Sequence, residues 1–279
     1  MKTVKYNWFQ RISLILFLFL VFSGRLYGFN FVVMGDSLDG EGTAPVFNNV
    51  IEEISLLQPD FIVDTGDWTS GPDKAGWENF LKMMQLGKTP FYLAVGNHEI
   101  TGDWGIWYTW YKELLNKPLY YSFNYENCAF IILCCYCEEN GKTVAGKIDK
   151  NQFTWLEQEL KKAESADHIF VFIHEPLYPV GIHIGSSLDR FPEERDKLAS
   201  LLKKYKDKLI VFCGHEHLYN KSVVDGLTQI IAGGTGAPLY AKPENGGFYH
   251  YLYLTVHGKN LSIAVIKPGH IVSSDLPKK

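Results

Sequence analysis

Apolar runs of strand length recur along the chain, at residues 29–34, 61–63, 91–95, 129–135, 169–173 and 209–213. Most are continuous rather than alternating, which is how strands covered on both faces read. Helical stripes lie between several of them. Val46, Phe47, Val50, Ile51, Ile54 and Leu57 line one stripe, and Pro59 stops that helix. Trp77, Phe80, Leu81 and Met84 form a second stripe, and Leu198, Leu201, Leu202 and Tyr205 another. Phe153, Leu156 and Leu160 form one more, with Asp149 or Asn151 as its cap. From Thr228 onward only strands are predicted, at 229–232, 249–256 and 261–266. Tyr249, Tyr251 and Tyr253 alternate there with His250, Leu252 and Leu254, the pattern of a half-covered antiparallel strand. With no repeat and no low-complexity linker, the pattern predicts one α/β domain with a mixed sheet system.

Composition narrows this picture. The chain has 279 residues, 46% of them apolar and 15% aromatic, enough for one large core and too few for two generous domains. The net charge is −4 with Lys and Arg scattered, so no nucleic acid partner is expected. Lys2, Lys5 and Arg11 precede an apolar run at 12–22, followed by Ser23 and Gly24, the layout of a secretory signal. The run falls short of the roughly 20 residues that span a bilayer; an uncleaved anchor is the alternative, and the only route to membrane association. The expected organisation is a leader at 1–28, a folded domain at 29–270 and a polar tail at 271–279, in an exported, periplasmic or extracellular protein. Five cysteines form no disulfide framework, and their settings, IILCCYC and IVFCG, predict buried thiols.

The chemistry lies in the residues just past each strand. FNFVVM runs into Gly35-Asp36, FIVDT into Gly66-Asp67, and FYLAV into Gly96-Asn97-His98-Glu99. IFVFI runs into His174-Glu175-Pro176, and LIVFC into Gly214-His215-Glu216-His217. Chance could supply one such strand end; five make a site, at the edge where open α/β sheets bind ligands. A glycine before four of these residues is expected to turn the backbone tightly. Carboxylates, an amide and imidazoles without thiolate suit divalent Mn, Fe, Zn or Co.

This ordered set resembles the calcineurin-like metallophosphoesterases, over residues 29 to 266. The resemblance implies a four-layer α/β/β/α sandwich holding two divalent metal ions. One ion would be held by Asp36, Asp67 and His217, the other by Asp67, Asn97, His174 and His215, with Asp67 as the bridge. His98 would protonate the departing oxygen, with Asn97 beside the reacting group. The implied reaction is hydrolysis of a small phosphorylated substrate, with hydroxide generated between the metals attacking phosphorus in line. One departure stands out: the family's first motif reads Asp-x-His, and here Leu38 takes the third place. Purple acid phosphatases, which also lack that histidine, place a Tyr three residues beyond the second Asp, where this chain has Ser70. Water or Asp39 is left to fill the gap. A degenerate relative that binds metal or ligand with little turnover is therefore the alternative, and a two-metal hydrolase acting on another bond is a more distant one.

The remaining polar residues divide between structure and substrate. His168, His250, His257 and His270 read as structural. His183 and Arg190, in the loop after His174, are candidates for contacting substrate phosphate. Gly233-Gly234-Thr235-Gly236 lacks the ending of a phosphate loop and reads as a tight turn. Glu99, Glu175 and Glu216 are placed to orient imidazoles, though Glu175 and Glu216 equally fit the solvent at the cleft mouth. Trp68, Trp77, Trp104, Trp107 and Trp110 read mainly as helix packing.

Overall fold

A computed structural model of the chain describes residues 28–38, 45–86 and 88–269. The expected leader up to residue 27, Asp39, His270 and the tail lie outside the described residues.

Two mixed sheets stack face to face. The first has β1 (Gly28–Met34), β2 (Phe61–Asp64) and β3 (Phe91–Leu93) in parallel, with β12 (Tyr251–His257) and β13 (Asn260–Ile266) antiparallel beyond β1. The second runs β10 (Tyr219–Val224), β11 (Leu227–Ala232), β9 (Leu209–Cys213), β8 (His168–Phe172), β5 (Cys128–Ile132) and β4 (Tyr121–Tyr125). Its four inner strands are parallel and its two edges antiparallel. A small hairpin of β6 (Tyr136–Glu139) and β7 (Lys142–Ala145) stands apart.

The period of two along each strand divides the core into two layers. Phe29, Phe31 and Val33 of β1 face the second sheet, where they join Phe61, Phe130, Phe170 and Phe212. Phe31 stacks on Phe61 at 5.2 Å and meets the edge of Phe130 at 5.2 Å. Val32 and Met34, on the other face, pack under α1 (Pro45–Leu57) and α2 (Lys74–Leu86), whose Phe47 and Phe80 stack at 6.0 Å. On the far side, α4 (Lys150–Lys162) and α5 (Pro192–Lys203) cover the second sheet through Leu156, Leu160, Leu198 and Leu202. Helix, sheet, sheet, helix is the four-layer sandwich expected. Each buried Phe, Leu or Ile contributes about 1.5–3 kcal/mol relative to exposure.

Local chemistry sets the element ends. Asp149 caps α4 by accepting from Gln152 N at 2.7 Å, one of the two caps expected. Asp103 caps α3 (Trp104–Leu115), a helix with no clear apolar stripe to announce it. Trp68, Trp77 and Trp107 are fully buried, in keeping with a packing role. The 129–135 run stops pairing as a strand at Ile132, because the Gln152 side-chain amide takes both backbone groups of Cys134, at 2.8 Å each. The last tyrosine strand begins at Tyr251, and it is covered on both faces rather than one. Leu252 and Leu254 face the second sheet, while Tyr251 donates its hydroxyl to Glu53 of α1 at 2.9 Å. The edge strands β4 and β10 and the β6–β7 hairpin carry too many polar residues to read as strands from pattern alone. All five cysteines are buried and free.

Candidate metal centre

Because β1, β2 and β3 run parallel in one sheet and β8 and β9 in the other, their carboxyl ends open at one edge of the sandwich. The two sheets meet there through side chains. Asp36 Oδ1 accepts from His215 N at 2.8 Å and lies 3.4 Å from His217 Nε2. Asp67 Oδ1 accepts from His98 N at 2.9 Å, and Oδ2 lies 3.4 Å from His174 Nε2. Asn97 Oδ1 is 3.1 Å from that same nitrogen, and His215 Nδ1 is 3.2 Å from it. Two donor sets result, Asp36/Asp67/His217 and Asp67/His174/His215, each with its ligand atoms within 4.8 Å of one another. Asp67 belongs to both.

The tautomers are set by the carbonyls behind the rings. A carbonyl only accepts, so His174 Nδ1–H donates to Thr65 O at 3.0 Å and His217 Nδ1–H to Pro238 O at 2.7 Å. In its neutral form each ring therefore turns an Nε2 lone pair toward the carboxylates. His98 likewise donates Nδ1–H to Ser70 O at 3.1 Å, leaving Nε2 4.0 Å from Asp67 Oδ2. Ser70 thus serves the site through its backbone carbonyl.

The backbone is bent to make this convergence. Asp36 and Asp67 both have φ 57°, His215 has 73° and His217 has 46°, all left-handed. Such residues cost about 1–3 kcal/mol each and cluster at functional sites. The expected division of labour is thus reversed: of the four glycines preceding ligands, only Gly66, at φ 107°, is left-handed. Gly96 and Gly214 are required by space instead. A Cβ on Gly96 would come within 2.1 Å of Asp67 Oδ1, and one on Gly214 within 2.3 Å of Asp36 Oδ2.

Charge is out of balance at this edge. Asp36, Asp64, Asp67 and Glu99 are all buried, with no Lys or Arg buried among the described residues. Burial pushes Asp36 well above the usual carboxylate range. Burial alone would also raise Asp67, but His174 and His98 bring it down to about 2. His174 is held up at about 10, the Asp67 and Asp36 carboxylates outweighing the effect of burial. Burial and the charge of His174 drive His215 down to about 2, and burial drives His217 to about 4. Asp36 Oδ2 and His215 Nε2 are buried without a hydrogen-bond partner among the described residues. A buried excess of carboxylate with orphaned donor atoms is what bound cations would neutralise. The residues fit divalent metal.

Three glutamates behave differently from expectation. Glu99 orients no imidazole; it accepts from the amides of Asp67, Thr69 and Gly96 at 2.8–2.9 Å and clamps two ligand loops together. Burial, reinforced by Asp67, raises it to about 8. Glu175 and Glu216 are buried rather than solvated. Burial takes Glu175 to about 7, with His174 and Arg190 pulling the other way.

The model of the calcineurin-like phosphoesterase family matches residues 29–219. The chain belongs to that family. Among relatives, this calcineurin-like phosphoesterase is 30% identical over 186 residues to a probable glycerophosphodiester phosphodiesterase of Arcobacter nitrofigilis, covering 63% of this chain and 66% of that one. It is 28% identical over 165 residues to purple acid phosphatase 23 of Arabidopsis thaliana, covering 55% of this chain and 33% of the relative. The chain thus spans about two thirds of one relative's length and one third of the other's. In fold it matches a purple acid phosphatase from yellow lupin seeds, with TM-score 0.69 at 19% identity over 89% of this chain and 52% of that one. A dimetal phosphatase from Danio rerio matches with TM-score 0.66 at 13% identity, over 85% and 95%.

Further side chains surround the two donor sets. The His183 ring lies 3.9 Å from the His215 ring, so the loop after His174 does overhang the site. Arg190 turns back instead, donating to Ser186 O at 2.8 Å. Tyr240, which no sequence signal marks, stacks on His217 at 4.2 Å and lies 5.8 Å from His183. Thr235 of the glycine-rich turn accepts from Gly35 N at 3.0 Å, so that turn braces β1 rather than cradling phosphate.

Proposed function

We propose that this protein hydrolyses phosphate esters at a dinuclear centre of divalent metals, held by Asp36, Asp67 and His217 on one side and by Asp67, Asn97, His174 and His215 on the other. The observation that carries this reading is the pair of donor sets sharing Asp67. When bound, two such cations polarise phosphoryl oxygens and make water acidic enough to act as nucleophile near neutral pH.

The chain's own residues supply the rest. His98 N fixes Asp67 Oδ1 and leaves Oδ2 toward His174 and His98 Nε2. With Nδ1–H committed to Ser70 O, protonated His98 carries its second proton on Nε2, facing the site, and hands it to the departing oxygen. Asn97 offers its amide to the same group. His183, above His215, is placed to contact a phosphoryl oxygen, whereas Arg190 is committed to its own loop. The relatives' names include phosphodiesterase and phosphatase, so both monoesters and diesters remain in the substrate class.

The test is release of p-nitrophenol from p-nitrophenyl phosphate and bis(p-nitrophenyl) phosphate, with Mn, Fe, Zn or Mg supplied. Turnover dependent on metal and abolished in Asp67→Ala is expected; absence of turnover on either ester with every metal overturns the proposal. We also infer export, from Lys2, Lys5, Arg11 and the apolar run at 12–22. Protein fractionation with N-terminal sequencing of the mature chain tests it, and retention of an intact chain in the cytoplasm would refute it.

A further inference from the structure

The loop from Tyr178 to Arg190 carries His183 over the metal residues, yet most of its hydrogen bonds are internal. Ser186 and Ser187 donate to His183 O, and Asp189 accepts from the amides of Gly185 and Ser187. These bonds shape the loop without saying where it sits. At the start of the loop the Gln229 side-chain amide accepts from Tyr178 N at 3.1 Å and donates to Tyr178 O at 2.8 Å; nearer His183 the loop is held by Glu216, the residue between His215 and His217. The Glu216 side chain is fully buried. Oε1 accepts from Val180 N at 3.1 Å and Gly181 N at 3.0 Å, and Oε2 lies 3.5 Å from His183 N. The fit leaves no slack, because a Cβ on Gly181 would come within 2.3 Å of Oε2.

We infer that Glu216 is a positioning residue for phosphate binding, its carboxylate fastening the 180–183 backbone to the ligand turn so that His183 stands over His215. A buried carboxylate taking backbone amides is a strong, charge-assisted anchor, and its loss strands donors away from water. The turn that presents two metal ligands inward thereby presents a loop anchor outward. This inference rests on the proposed role of His183, and it requires phosphate binding but no turnover.

The experiment measures calorimetric binding of inorganic phosphate to the Mn-loaded full chain, with metal content determined for every variant. Glu216→Ala and His183→Ala are each expected to weaken phosphate binding about tenfold. The double variant is expected to weaken it about tenfold in total, no more than either single change and not about a hundredfold, because both changes remove one contact. Amide exchange at Val180 and Gly181 should accelerate in Glu216→Ala and stay slow in His183→Ala. Additive losses, or unchanged phosphate binding in Glu216→Ala, overturn the inference. Should Glu216→Ala lose metal, Gly181→Ala breaks the same contact from the loop side; wild-type phosphate binding and exchange in that variant overturn it equally. Failure of ester hydrolysis with these couplings intact would count against the proposed reaction alone.

Discussion

The same strands bury opposite chemistry along their length. Along β1, β2, β8 and β9, phenylalanines fill the space between the sheets in ordinary extended backbone. A few residues further on, the loops bury carboxylates and imidazoles, with Asp36, Asp67, His215 and His217 in left-handed backbone. The first region is stabilised by its own contacts; the second is held against strain and charge repulsion by the first. A rigid sandwich below is what allows a strained, carboxylate-rich rim above.

That contrast is sharpest at Asp67 and Phe130. Asp67→Ala is expected to lower turnover at least about 10⁴-fold, roughly 5 kcal/mol of barrier, while the melting temperature of the metal-free protein holds or rises. Metal analysis with steady-state rates and calorimetry checks both halves; a metal-free variant that melts well below the wild type would break the comparison. Phe130→Ala, in the intersheet core, should cost about 3–5 kcal/mol of stability in denaturant titration, with activity per folded molecule kept.

A third prediction concerns protons away from the metals. His250 is fully buried, donates Nδ1–H to Phe248 O at 2.9 Å, and is driven down to about 4 by burial. Between its ordinary value near 6.5 and about 4, the unfolded chain takes up a proton that the folded chain refuses. The neutral ring therefore favours folding fully above pH 6.5, and this contribution is lost as pH falls through about 4. Its size is about 3 kcal/mol, so a wild-type stability curve steeper than that of His250→Asn across pH 4–6.5 is expected; parallel curves would rule it out.

The smallest effect expected is at Leu38. Its φ of 47° suits His better than Leu, and its amide donates to Asp67 O at 3.0 Å. Leu38→His should tighten metal binding by the Asp36 set about tenfold in competition with a chelator, on the scale of one added metal partner.

How much of this was legible depended on whether the signal was local. The candidate ligand residues were readable because each comes directly after an apolar run, and parallel strands bring such ends together without further information. The edge strands were not, since half-exposed Tyr219–Val224 has no need of a continuous apolar run. Glu99 and Glu216 stand out in the sequence, but their neighbours in the chain suggest the wrong partners. A carboxylate beside a ligand is equally able to hold a ring or a backbone amide, and only the path of loops 30–36 residues away decides. Tyr240 gave no sign at all, because its contact with His217 depends on a turn around Pro238 that no motif records.

The direction of β1 has a practical consequence. Gly28 sits at one pole of the sandwich and Asp36 at the other, separated by a seven-residue strand of roughly 20 Å. Whatever is joined ahead of Gly28, whether a tether, a fusion partner or a solid support, attaches on the side remote from the metal residues. Immobilising the protein through a group joined at Gly28 should leave the edge that carries Asp36 facing outward, toward solution.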